Sequence, residues 1–179
     1  MIEAFQDQDI YCDVHPYQET AIWLLGPKKA SKNYINASRI QSPYHEGNDH
    51  NLLIATQGPK SNTTKNFWRM ILQERVGMVV TLCHAIGGAD GDCVEYFPTV
   101  INEPVKYGSI EVTLLSKAQR GSFIDLRTFS VADSAKSETL KHYHFKGWPD
   151  WETPVGKSRR AYEELVDEAS EFVMDNARR

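Results

Sequence analysis

The chain has 179 residues, with 20 Lys plus Arg against 24 Asp plus Glu, a net charge of −4 and 41% apolar side chains. Four Trp, eight Tyr and seven Phe supply the bulk for one sizeable core, which excludes disorder as the main state and predicts a single unit over residues 1–179. With a pI near 5.9 and no long run of like charges, it has no basic stripe able to displace counterions from a phosphate backbone, so nucleic acid is not an expected partner.

No apolar stretch approaches the roughly 20 residues that span a bilayer, and Met1–Asp7 lacks the basic and apolar regions of a signal peptide. Cys12, Cys83 and Cys93 form no CxxC pair, and their odd number leaves at least one outside any intrachain disulfide framework. A reducing, cytoplasmic setting is the expectation.

In chain order, a loop-like start runs to Gly26-Pro27-Lys28-Lys29, and Tyr34–Ile40 then suggests a strand. The polar stretch Tyr44–His50 reads as a loop. Leu52–Ala55 is a short continuous apolar run, as expected of a strand covered on both faces. Ser61 or Asn62 can cap a helix in which Phe67, Trp68, Ile71 and Leu72 recur at helical spacing until Val76-Gly77. Met78–Leu82, apolar and β-branched, predicts a central strand. Three antiparallel strands are expected at Ile110–Leu115, Phe123–Val131 and Leu140–Phe145, the first two joined by a turn at Gln119–Ser122. Lys157–Ala177 is amphipathic, with Ala161, Leu165, Ala169, Phe172 and Val173 along one stripe.

The segment with the clearest chemistry is Trp148-Pro149-Asp150-Trp151, flanked by Gly147 and by Pro154-Val155-Gly156. An acid between aromatic neighbours, on a loop bounded by flexible and stiff residues, can be kept protonated by apolar surroundings and by a nearby dianion, and can then donate its proton. By itself the tetrapeptide reads better as a plain turn, with Asp150 capping the next segment and the tryptophans in the core. Its companions change that: Asn33–Ser38, Ile54–Pro59, Asn66–Met70, Cys93–Pro98 and His144–Asp150 occur in one order and at one spacing. Together these blocks resemble the classical protein-tyrosine phosphatases, from about Tyr11 to the C-terminus.

The resemblance implies an α/β fold of the α+β type, a twisted mixed β-sheet flanked by helices. It implies that Asp150 is the general acid that protonates the departing tyrosine oxygen and then acts as base on water, with Trp148 and Pro149 as the hinge of its loop. A phenol of pKa about 10 leaves poorly as its anion, which gives the proton a purpose. Tyr11 is implied as the aromatic wall of the phosphotyrosine slot and Asp13 as an acceptor for substrate backbone amides. Phosphotyrosine proteins or peptides are the implied partners, and the implied reaction needs no metal and no cofactor. His142 and His144 share a strand face, but no third metal ligand is evident.

The departures are equally specific. The family's nucleophile lies in His-Cys-x5-Arg, where amides and a guanidinium hold phosphate and keep the cysteine a thiolate. Six positions beyond Cys12, Cys83 and Cys93 stand Gln18, Ala89 and Thr99, and Cys83-His84 has the pair reversed. The 179 residues therefore contain no nucleophile motif, and the expectation is a C-terminally incomplete domain, inactive alone, which exposes apolar edges and either binds partners as a scaffold or is completed by a complementary chain. Ala21, Glu152-Thr153 and the loop Ala85–Asp92 also differ from the usual family residues at those places.

Overall fold

The computed structural model describes residues 7–11, 13–26, 32–40, 53–87, 93–149 and 151–177. In chain order these form β1 (Ala21–Trp23), β2 (Tyr34–Ile40), β3 (Leu53–Thr56), α1 (Thr64–Gln73), β4 (Met78–Leu82), β5 (Pro104–Tyr107), β6 (Ile110–Arg120), β7 (Ile124–Ala132), β8 (Ser137–Phe145) and α2 (Gly156–Ala177). The mixed helix and strand content is as expected, but the strands divide between two sheets. One is antiparallel with order β1-β2-β3, and the other has order β4-β8-β7-β6-β5.

In the larger sheet only the β4–β8 pair is parallel, and β5 to β8 form an antiparallel meander. The turn between β6 and β7 sits where Gly121 takes φ +57°, in the predicted hairpin. Its strands run well past the predicted ends, to Arg120 in β6 and back to Ser137 in β8, because backbone pairing carries on where the apolar alternation stops. β1 and β5 are three and four residues long, too short to show any alternation.

Two strands differ from expectation in their surroundings. β3 is largely exposed, pairing with β2 at the edge of the small sheet, rather than covered on both faces. β4 is an edge strand among the described residues, bonded to β8 alone, with Val80 and Leu82 exposed. A short apolar run reports the strand and not its number of neighbours, so in both cases the type was readable and the position was not.

α1 lies between the two sheets. Its Phe67, Trp68, Met70, Ile71 and Leu72 are all buried, each contributing roughly 1.5–3 kcal/mol by leaving water. They pack with Ile22, Ile35 and Ala37 of the small sheet and with Ile110, Val112, Leu114, Phe129 and Val131 of the large one. The helix starts a residue later than Asn62 allows, with Thr63 at the N-cap position, and it ends at Gln73, where Arg75 turns to φ +54°. α2 covers the opposite face of the large sheet, packing Leu165 against Ile124, Tyr143 and Phe145. Of its predicted stripe only Leu165 is fully buried, while Ala161, Ala169, Phe172 and Val173 are half-buried.

Candidate functional site

Three parts of the molecule carry polar chemistry: the N-terminal segment around Tyr11, the carboxyl ends of β4 and β8, and the loop from β8 to α2. The first is organised by one buried carboxylate. Asp9 is 2% exposed, and its two oxygens accept from Tyr34 Oη at 2.9 and 3.1 Å, while Asn36 Nδ2 donates at 3.0 Å and His15 Nδ1 lies at 2.9 Å. A buried carboxylate demands such partners; Tyr34 and Asn36 anchor the segment to β2, and His15 ties it to itself. Burial, followed by the bond to Asp9, pushes the Tyr34 phenol well above its ordinary value, so it stays a donor.

Further ties close the segment. Asn36 Nδ2 also donates to the Val14 carbonyl at 2.8 Å. Gln57 bridges Gln8 O at 2.7 Å and Ile10 N at 3.0 Å, and Lys60 Nζ reaches the carbonyls of Asp7 and Asp9, both at 2.8 Å. The result is a segment whose inner side is bonded and whose outer side is free for contact: Tyr11 is 66% exposed, and Asp13 and Tyr17 also face solvent. Cys12 lies outside the described residues.

The middle part follows from strand register. Thr81 pairs with His144 across β4–β8, and Asp125 pairs with His144 across β7–β8, so these side chains share the face toward α1. Cys83 Sγ lies 3.6 Å from His144 Nε2, which also meets the Cys83 carbonyl at 2.9 Å. Asp125 Oδ2 is 3.8 Å from His144 Nδ1, and Lys146 Nζ donates to Asp125 Oδ1 at 2.7 Å. Burial alone would raise the Asp125 pKa, but Lys146 overrides it and holds the carboxyl below its usual range. Deeper in, His142 Nε2 meets Tyr96 Oη at 2.7 Å. Burial, then the Arg127 and His144 charges, lowers the His142 pKa to about 3, so this ring is neutral at ordinary pH. No group of three His, Cys, Asp or Glu side chains among the described residues is arranged to hold a metal ion.

The third part, the loop after β8, begins at Gly147. A Cβ there would stand 2.8 Å from Phe145 Cζ and 3.0 Å from both Phe123 Cδ1 and Ser158 Cβ, so any side chain would push the start of the loop away from α2. Trp148 packs edge-on against Tyr162 of α2, ring centroids 5.1 Å apart, and Pro149 is half-buried. Asp150, the expected acid, lies outside the described residues. Trp151 beyond it is fully exposed and takes φ +60°, an unusual conformation for a bulky residue.

The motif blocks find physical roles that their letters did not disclose. Asn33–Ser38 and Gln57 hold the N-terminal segment, Asn66 donates to the Tyr34 carbonyl at 2.9 Å, and Arg69 gathers Asn66, Asn33 and the carbonyls of Leu25 and Lys32. Trp68 Nε1 donates to the Tyr96 carbonyl at 2.8 Å, coupling α1 to the Cys93–Pro98 block.

Comparisons with known proteins show the family. The family profile described as protein-tyrosine phosphatase matches residues 6–177. The chain belongs to the protein-tyrosine phosphatase family. It is 33% identical over 152 residues to the rat (Rattus norvegicus) tyrosine-protein phosphatase non-receptor type 20, an alignment covering 84% of this chain and 34% of that protein. It is also 33% identical over 140 residues to the human (Homo sapiens) tyrosine-protein phosphatase non-receptor type 5, covering 78% and 23%. A solved structure described as the structural basis of the PTPN18 fingerprint on distinct HER2 tyrosine phosphorylation sites superposes with a TM-score of 0.79 at 27% identity, over 92% of this chain and 56% of that one. The chain thus spans about a third or less of these two curated family members. Sequence reasoning quoted Asn36, Gln57 and Asn66 only as letters of a pattern and passed over Asp9; the asparagines and glutamine flanking apolar strands were the available signal.

Proposed function

We propose that this chain supplies the substrate-recognition and proton-donating parts of a protein-tyrosine phosphatase, acting on phosphotyrosine in proteins or peptides. The observation that carries the reading is the bonded inner side of residues 7–15, which leaves Tyr11 and Asp13 outward on a segment that need not reorganise to meet a ligand. In this reading the Tyr11 ring lies along the phosphotyrosine ring and Asp13 accepts from the substrate's backbone. Trp148 and Pro149 act as the hinge of the loop that brings Asp150 to the leaving oxygen. The relation to a structure concerned with HER2 tyrosine phosphorylation sites supports a phosphoprotein substrate.

The chemical step proceeds through a cysteinyl-phosphate. A thiolate attacks phosphorus, the bond to the tyrosine oxygen breaks, and Asp150 gives that oxygen its proton; Asp150 then takes a proton from the water that releases phosphate. No His-Cys-x5-Arg occurs in the 179 residues, so the thiolate comes from outside them and this chain alone does not turn over. The same absence favours a second reading, a noncatalytic phosphotyrosine-binding scaffold. A cytoplasmic location accompanies both, in keeping with Cys83 and Cys93 lying outside any disulfide.

The test pairs binding with turnover. A fluorescent phosphotyrosine peptide should bind the chain more tightly than its unphosphorylated form, and Tyr11→Ala should weaken it roughly tenfold. Phosphate release should appear only when a segment bearing His-Cys-x5-Arg is supplied, and Asp150→Ala should then reduce the rate by about a hundredfold or more. Binding with no turnover even then selects the scaffold, and indifference to phosphorylation ends both readings.

A further inference from the structure

The outer end of the β6–β7 hairpin carries positive charge that the neighbouring side chains do not balance. Lys117 pairs in register with Arg127 and Gln119 with Asp125, so these four side chains share one sheet face. They line a cleft of about 280 Å³, several times the roughly 30 Å³ share of one water molecule. Two cations directly opposite each other on paired strands repel. The one carboxylate of the cleft is committed elsewhere: Lys146 Nζ donates to Asp125 Oδ1 at 2.7 Å, while Arg127 Nη2 stands 3.5 Å from Oδ2, at the outer limit of a hydrogen bond. Arg127 Nη1 is buried without a partner, so the charge of this guanidinium meets neither a close carboxylate nor an acceptor at its other end. Lys117 and Gln119 are exposed, and among the described residues their side chains make no hydrogen bond or ion pair. We infer that this cleft is a binding site for inorganic phosphate, held as its hydrogen-phosphate dianion between Lys117 and Arg127.

The polar groups of the cleft select the ligand. Lys117 brings an ammonium, Gln119 an amide and Arg127 a guanidinium, all of them donors to an oxyanion. Asp125 does the opposite. Kept ionised by Lys146, it can only accept. A fully deprotonated oxyanion such as sulfate meets a repelling carboxylate there, whereas hydrogen phosphate turns its one hydroxyl toward Asp125 and donates to it. A phosphate monoester in its dianionic form has no such hydroxyl, which separates free phosphate from a phosphorylated side chain. With a few charge-assisted bonds in an open cleft, the dissociation constant should be on the order of 1 mM. None of Tyr11, Asp13 and the β8–α2 loop takes part, so the site stands whether or not the chain meets phosphotyrosine.

The full chain, isotope-labelled for NMR, should be titrated with sodium phosphate, sodium sulfate and methyl phosphate at matched ionic strength. A slightly alkaline pH makes the monoester a dianion and leaves phosphate its one hydroxyl. Phosphate should shift the backbone amides of residues 117–119 and 125–127 along one saturable curve. Sulfate and methyl phosphate should need at least about fivefold more to do the same, and Lys117→Gln should weaken phosphate by roughly three- to fivefold. Lys117 is exposed, so that variant keeps its fold. An equal response to all three anions would show charge screening alone and overturn the inference. Shifts that do not saturate, or that leave the hairpin untouched, would do so as well, as would a Lys117→Gln chain that binds phosphate as tightly as the parent.

Discussion

The segment at residues 7–15 and the loop from β8 to α2 are anchored by opposite means. The first is fixed by directional bonds: one buried carboxylate, two asparagines, a glutamine and a lysine, each aimed at a particular backbone or side-chain atom. The second rests on packing, through Leu165, the Trp148–Tyr162 contact and a polar tie in which Tyr143 donates to Glu168 and Arg120 pairs with the same carboxylate at 2.7 Å. Directional bonds hold one geometry and fail when any partner goes; a packed helix face tolerates sliding. Under the proposed function, a surface that presents a fixed shape and a loop that travels are suited to these two kinds of support.

Asp9→Ala should break the comparison most sharply. It strands Tyr34 and His15, leaves Asn36 only its bond to Val14, and should cost about 3 kcal/mol, read as a lower urea midpoint. Hydrogen exchange should quicken over residues 7–15 and leave α2 unchanged; equal loss of protection in both regions would mean that they are not separately held. Leu165→Ala is the converse, expected at about 2 kcal/mol because α2 is already half-exposed, with faster exchange confined to α2 and the adjoining ends of β7 and β8. A smaller effect comes from pH. His142 ionises near pH 3 in the folded chain and near 6.5 when unfolded, so between those values the unfolded chain holds the extra proton and stability falls on acidification. The slope from this group should reach about 1.4 kcal/mol per pH unit at most, and His142→Gln should flatten it in urea melts run across that window.

Much of the fold was legible from residue pattern. Trp68 and Ile71 sit where helical spacing puts them, and the meander from β6 to β8 follows the predicted order. What escaped was mostly neighbourhood. Leu82 is as apolar as a central-strand residue, yet it lies on an edge strand, because number of partners is a property of topology and not of local sequence. The site divides in the same manner: Tyr11 and Asp13 could be named from the family resemblance, while Asp9, two residues earlier, could not. An aspartate in a polar stretch reads as a surface residue until the tyrosine and asparagine of a distant strand are seen to close around it.

Trp151 gives the β8–α2 loop a further property. A left-handed backbone at a residue of this bulk costs on the order of 1–2 kcal/mol, and its side chain, wholly in water, returns nothing for it. The backbone at Trp151 therefore sits in a costlier well than the ordinary one, and a rearrangement that restores ordinary dihedrals there is favoured by about that amount. Such a bias is that of a lightly cocked spring, set against the pose the indole now holds.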